Sequence, residues 1–104
     1  MPIPALIRAL EAEGCRVAQP RYPLLHQQPF FTEGAFKQVM RPDPGLPLPD
    51  YGAVTLPFTE RANAELIRLP SFVNAGREIL DQYLHAFGKV RDHAGAIADR
   101  LARA

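Results

Sequence analysis

The chain has 104 residues, of which 47% are apolar and 22% are charged, the usual balance of a soluble globular domain. Its net charge is +1 and its basic residues are scattered, which argues against nucleic acid or an anionic membrane as a partner. No stretch approaches the ~18 apolar residues of a membrane span, and one cysteine, Cys15, excludes an internal disulfide. We therefore expect a single domain over residues 1–104 in a reducing, cytoplasmic compartment.

The first twenty residues predict a helix and then a strand. Apolar residues recur at helical spacing at Ile3, Leu6, Ile7 and Leu10. Gly14 is a typical residue for ending a helix, so we expect a helix over 4–13. Residues 15–19, reading CRVAQ, predict a short strand that Pro20 ends.

The segment from Arg21 to Phe31 reads RYPLLHQQPFF and is dense in aromatic and amide side chains. Its two prolines disfavour a helix, so we expect an extended segment that presents His26, Gln27 and Gln28 at a surface or interface. A histidine held there can hydrogen-bond a ligand group or titrate near neutral pH, and the alternative is that it caps local backbone. The side chains expected to hold the segment in place are Tyr22, Leu24, Phe30 and Phe31.

The middle of the chain predicts short elements around a proline-rich loop. Residues 32–39 predict a helical turn, and residues 41–50, reading RPDPGLPLPD, predict a stiff surface loop. A recognition motif for proline-binding domains is the alternative interpretation of that loop. Residues 51–56 weakly favour a strand. Thr59 is placed to cap a helix that runs to about Leu66 and leads into a short buried strand.

No proline follows Pro70, which leaves room for a long helix over 77–103. Its apolar positions alternate steps of three and four: Leu80, Tyr83, Phe87, Val90, Ala94, Ile97 and Leu101. This stripe packs on the domain's own core or forms a dimer seam. Together these elements predict a two-layer α+β domain with an N-terminal helix, a short antiparallel sheet and a long C-terminal helix.

No catalytic constellation is closed within the sequence. It has no glycine-rich phosphate loop, no nucleophile elbow and no cysteine pair for zinc. His85 and His93 lie too far apart to share a metal easily, with Lys89 between them. We expect Cys15 to be a buried structural thiol, and Lys37 and Lys89 to lie on the surface.

Four pieces of the chain, in order, resemble the C-terminal small domain of the DegT/StrS-type sugar aminotransferases. These enzymes depend on pyridoxal phosphate. The first piece is Gly14–Cys15, and the second is Tyr22-Pro23 with His26, Gln28 and Pro29, which matches a Y-P-x-x-H-x-Q-P pattern. The third piece is Leu56-Pro57 with Thr59 and Glu60, and the fourth is Leu69–Pro70. The resemblance covers about residues 5 to 90.

The resemblance implies that complete relatives transfer an amino group, usually from glutamate, to a keto-sugar nucleotide. It implies that His26, with Gln28 and Tyr22, lies on the substrate side of an active site that forms at a dimer interface. The family's large domain, which carries the imine-forming lysine and most cofactor contacts, does not occur in this sequence. We therefore expect this chain to bind no cofactor and to catalyse nothing alone, with pyridoxal phosphate belonging to the complete enzyme.

Two kinds of partner follow from this interpretation. One is an aminotransferase large domain. The other is a second copy of the chain, held through Leu80, Tyr83, Phe87 and Val90. The alternative function is a non-catalytic binding or dimerisation module derived from the same domain.

Overall fold

The computed structural model describes residues 1–40, 43 and 45–104, and over these residues the chain is helical. Two 3₁₀ turns, Leu25–Gln27 and Tyr51–Ala53, accompany the α-helices. The α-helices are α1 (Ile3–Ala12), α2 (Pro29–Thr32), α3 (Phe36–Val39), α4 (Pro57–Glu65), α5 (Arg77–Asp92) and α6 (Ala94–Ala102). The chain divides into two compact units, unit 1 (Met1–Pro20 with Glu65–Ala104) and unit 2 (Arg21–Ala64).

The predicted helix at the N-terminus is confirmed as α1, and its end follows from one glycine. Gly14 has φ +87°, a conformation that other residues adopt only with strain. Its N–H donates to the carbonyl of Glu11 at 2.9 Å, and the N–H of Cys15 donates to that of Leu10 at 2.9 Å. These two bonds are the Schellman pattern, which satisfies carbonyls left over at a helix end. The turn directs Cys15 into the core of unit 1.

The core of unit 1 lies where α5 packs against α1 and the residues that follow α1. Leu10 is fully buried, and Tyr83, Phe87 and Ile97 pack against the buried set while keeping part of their surface. The buried side chains are Leu10, Cys15, Val17, Ala86 and Val90. Alternate residues 15 and 17 are buried, so this segment has the side-chain alternation of a strand.

The predicted α+β fold with an antiparallel sheet is wrong, because the described residues contain no strand. Extended segments meet only at one antiparallel bridge, where Ala18 and Arg68 exchange hydrogen bonds of 3.1 and 2.7 Å. In this register the next hydrogen-bonded pairs would be 16 with 70 and 20 with 66. Pro20 and Pro70 occupy one place in each pair and have no N–H to donate. Each of these pairs can therefore form at most one of its two hydrogen bonds, and in the described residues the ladder does not extend beyond the single bridge.

The long C-terminal helix predicted over 77–103 is divided at His93. That residue has φ −110° and ψ 14° between α5 and α6. Gly95 lies in the first turn of α6 and has low helix propensity, which weakens continuity at this point. The break allows α6 to contact α1 as well as α5. Arg77 and Asp81, opposite charges four positions apart, lie 3.9 Å from each other on the exposed side of α5.

Unit 2 is organised by aromatic rings rather than by long helices. Phe36 is 2% exposed, and its ring centroid lies 5.0 Å from that of Tyr51 and 6.0 Å from that of Phe31. Phe31 also contacts Tyr51 edge-on at 5.0 Å. Such edge-to-face pairs stabilise a small apolar cluster beyond the area that they bury. Phe36 is the buried residue around which this unit is built.

Several local predictions in unit 2 are wrong. The segment 21–31 is not extended throughout, because Leu25–Gln27 form a 3₁₀ turn and Pro29 begins α2. Pro29 suits a first helical position, where its missing N–H has no partner to lose. Residues 51–53 form a 3₁₀ turn instead of a strand. Of the proline-rich loop over 41–50, Arg41, Pro42 and Pro44 lie outside the described residues.

Candidate functional site

The side chain of His26 is mostly buried and faces a carboxylate. Its Nε2 lies 3.2 Å from Oε1 of Glu60, and 9% of the histidine side chain is exposed. Because an ionised carboxylate only accepts hydrogen bonds, Nε2 is the donor in this pair. The contact joins the 3₁₀ turn at Leu25–Gln27 to α4 within unit 2. His26 is therefore held in place by a residue 34 positions away rather than by local backbone.

Gln27 strengthens the same contact. Its Nε2 donates to Oε1 of Glu60 at 2.9 Å, so one carboxylate oxygen accepts from two side chains. The hydrogen bond from His26 is the main cause that holds the pKa of the Glu60 carboxyl below its ordinary value, and the bond from Gln27 adds to it. The carboxylate is 32% exposed, so water still reaches it. We call His26, Gln27 and Glu60 the histidine–glutamate cluster.

The other two predicted substrate residues lie outside this cluster. Tyr22 is 73% exposed, and its side chain makes no hydrogen bond or ring contact within the described residues. Gln28 is half-buried and precedes α2 as its N-cap residue, where its carbonyl accepts from the N–H groups of Phe31 and Thr32 at 2.9 and 3.1 Å. The structure thus brings no two of Tyr22, His26 and Gln28 together through their side chains.

Sequence reasoning missed the roles of Gln27 and Glu60 at the site. Gln27 was expected only to be displayed beside His26. Glu60 belongs to the third piece of the resemblance, together with Leu56-Pro57 and Thr59. The second and third pieces of the resemblance contain these residues, but their spacing along the chain does not predict that the histidine of one contacts the glutamate of the other.

The residues of this chain do not fit pyridoxal phosphate. The cofactor needs a lysine amine that can form an imine, and the sequence offers Lys37 and Lys89. Lys37 is exposed, with its Nζ 6.0 Å from the ring centroid of Phe36. Lys89 donates to the carboxylate of Glu13, with its Nζ 2.8 and 2.9 Å from the two oxygens. Neither amine is desolvated, which is what would make it nucleophilic.

Cys15 is buried, as the sequence predicted. Burial raises the pKa of its thiol, and the nearby charge of Glu13 raises it further. A thiol that holds its proton is a poor nucleophile and a poor metal ligand. The side chain therefore acts as a small apolar residue of the core of unit 1.

Neither a metal cluster nor a membrane span is found in the described part of the chain. No group of three or more histidine, cysteine, aspartate or glutamate side chains is arranged to hold an ion there. None of the helices over the same residues is long and apolar enough to cross a bilayer.

The residues expected to form a dimer seam differ in exposure. Val90 is 4% exposed and belongs to the core of unit 1, against which Tyr83 and Phe87 also pack. Leu80 is 39% exposed. Packing within unit 1 therefore explains the burial of most of these four side chains, and Leu80 is the exposed one among them.

Comparison with known proteins adds no relative. Neither protein-family models nor the curated proteins and solved structures that were searched give a match to this chain.

Proposed function

We propose that this chain is the small-domain portion of a pyridoxal-phosphate-dependent aminotransferase that acts on keto-sugar nucleotides, and that it is not catalytic by itself. The observation that carries the proposal is the contact between His26 and Glu60. It joins two of the stretches that resemble the DegT/StrS-type enzymes, LHQQPFF and LPFTE, which are well separated in sequence. Because the histidine of one stretch is hydrogen-bonded to the glutamate of the other, both stretches contribute to a single structural feature.

The surface of the chain supports an incomplete assembly. Large apolar side chains remain exposed in both units, among them Phe58 at 90%, Val73 at 75% and Leu84 at 71%. A partner that covered these side chains would remove apolar surface from water, which favours association. A large domain that carries the imine-forming lysine is the partner that the resemblance favours.

Within that assembly we assign His26, Gln28 and Tyr22 to the substrate side. Glu60 and Gln27 then act as positioning residues, because they fix the ring of His26 by hydrogen bonds to one carboxylate oxygen. Tyr22 offers an exposed phenol that can reach a ligand. The cofactor chemistry belongs to the large domain, since neither lysine of this chain fits it.

The experiment is reconstitution. The coding DNA upstream of Met1 is read for a large domain, which is then co-expressed with this chain and assayed for amino transfer from glutamate to a keto-sugar nucleotide. We expect activity only when both parts are present. His26→Ala should lower kcat/KM, whereas His85→Ala, which removes an exposed histidine on α5, should not. Full activity of the large domain alone, or unchanged kinetics in His26→Ala, would contradict the proposal.

A non-catalytic dimerisation module is the second candidate, and the exposed side of α5 favours it. Ile79, Leu80 and Leu84 are 47%, 39% and 71% exposed along this helix. If this face joins two copies, Leu80→Glu should shift sedimentation from dimer to monomer, while Gln82→Glu adds the same charge at another exposed position of α5 without that shift. A wild-type chain that sediments as a monomer at high concentration would exclude this candidate.

We also propose a cytoplasmic location. The one cysteine is a buried free thiol in the core of unit 1, which suits a reducing compartment. Measurement of the location of the tagged full-length protein tests this, and recovery outside the cytoplasm would contradict it.

A further inference from the structure

An apolar groove lies in unit 1 where α1, α5 and α6 meet. Each helix contributes to its floor, and the floor residues are Ala9, Ala12, Val90, Ile97 and Leu101. The cavity volume is about 360 Å³. That volume falls within the roughly 300–1,000 Å³ of small-molecule pockets in proteins.

The rim of this groove is positively charged. Arg8 and Arg100 line it, and neither makes an ion pair or a side-chain hydrogen bond within the described residues. The one acid on the rim, Glu13, is neutralised by Lys89, whose Nζ lies 2.8 and 2.9 Å from the two carboxylate oxygens. Two uncompensated arginines therefore flank an apolar floor in a chain whose net charge is only +1.

We propose that this groove binds a single-chain amphipathic anion, with the apolar chain on the floor and the charged head group on Arg8 and Arg100. Guanidinium groups suit such a head group because their planar donors match a carboxylate or phosphate. The two arginines repel a cation, and a polar ligand without an apolar chain would leave the floor of the groove exposed to water. The proposal commits to a small ligand because ten residues line the groove, fewer than the roughly 20–30 on each side of a standard protein interface.

This inference goes beyond the proposed aminotransferase role and is independent of it. The groove belongs to unit 1, whereas the histidine–glutamate cluster belongs to unit 2. None of the residues on the groove's floor or rim takes part in the reconstitution assay above. Failure of one test therefore leaves the other unaffected.

The experiment titrates the isotopically labelled full chain with decanoate and, as a matched control of opposite charge, with decylammonium. Both are kept below the concentrations at which they form micelles. We expect saturable decanoate binding by calorimetry, with amide shift changes at Ala9, Ala12 and Ile97. Because each arginine contributes up to roughly fivefold in affinity through a partly exposed ion pair, decylammonium, which gains neither ion pair, should bind up to about 25-fold more weakly.

Variants test the contributions of the floor and of the rim to decanoate binding separately. Arg8→Gln and Arg100→Gln should each weaken decanoate binding by up to about fivefold, whereas Arg103→Gln, an exposed arginine outside the groove, should not. Ala12→Leu fills the floor and should weaken binding more strongly than Ala96→Leu, which places the same side chain at an exposed position outside the groove. Circular dichroism of each variant verifies that its helices are retained.

Four outcomes would overturn the proposal. The first is the absence of saturable decanoate binding, and the second is equal affinity for decylammonium. The third is a set of shift changes centred away from the groove, for example at Leu84 on the exposed side of α5. Tighter binding of an amphipathic peptide with an acidic face would also overturn it, in favour of a protein segment as the occupant.

Discussion

The backbone N–H of Arg16 donates to the hydroxyl of Tyr83, with 2.8 Å between nitrogen and oxygen and 67 positions between the residues. In the register set by the bridge of Ala18 with Arg68, that N–H would have faced position 70 of a second strand. A side chain of α5 satisfies it instead. The N–H of Arg16 in this extended segment is thus hydrogen-bonded without a second strand beside it.

This contact predicts that removal of the hydroxyl of Tyr83 lowers the free energy of unfolding. Tyr83→Phe keeps the ring, whose centroid lies 4.9 Å from that of Phe72, and leaves the N–H of Arg16 without its partner. We expect a loss of about 0.5–1.5 kcal/mol in the free energy of unfolding, measured by urea titration. Tyr22→Phe is the matched control, because Tyr22 is 73% exposed. Equal stability of the two variants would show that the hydroxyl of Tyr83 contributes nothing.

The prolines that flank the bridge predict a gain of backbone pairing. Pro70→Val supplies an N–H opposite the carbonyl of Arg16, so the ladder can extend by one hydrogen bond. We expect a slowly exchanging amide at position 70 in hydrogen-exchange NMR. Pro49→Val, in the loop of unit 2, should introduce an amide that exchanges rapidly. Rapid exchange at position 70 would mean that something other than the missing donor ends the ladder.

The small core predicts unequal sensitivity to leucine truncation. Leu10 is fully buried between α1 and the rest of unit 1, so Leu10→Ala leaves a cavity and should cost about 2–5 kcal/mol. Leu84→Ala removes the same atoms from a side chain that is 71% exposed, and should change stability by about 0.5 kcal/mol or less. Chemical unfolding followed by circular dichroism measures both. A Leu10→Ala variant as stable as Leu84→Ala would contradict the core described here.

The histidine–glutamate cluster predicts a dependence of stability on pH. The folded pKa of Glu60 is below its ordinary value of 4.5, so the folded chain releases this proton more readily than the unfolded chain does. The stability that the carboxylate contributes is therefore complete above pH 4.5 and is lost as the pH falls through the lowered folded value.

Urea unfolding of the wild-type chain between pH 6 and pH 3 tests this prediction. The loss on acidification should be smaller in Glu60→Gln, which cannot titrate. Glu33→Gln is the control, because Glu33 is exposed and its side chain has no partner in the described part of the chain. If Glu60→Gln and wild type lose stability equally, the contact with His26 does not favour the charged carboxylate.

The sequence alone determined the elements that depend on local chemistry. The stripe in α1 and the glycine after it specified that helix and its end, because helical spacing and a positive φ are properties of neighbouring residues. The burial of Cys15 followed from its position just after that turn. Pro20 and Pro70 are also evident in the sequence. Their effect on strand pairing depends on the register of the bridge, which joins residues about fifty positions apart.

Only the tertiary structure decided the features that depend on distant contacts. The strands expected over 15–19 and before Pro70 did not form a sheet, because one bridge aligned each proline with a place that needed a donor. The break at His93 places α6 against α1, a gain in packing that periodicity along one helix does not reveal. Likewise, the two patterns that contain His26 and Glu60 were legible in the sequence, whereas their hydrogen bond depends on how unit 2 folds around Phe36.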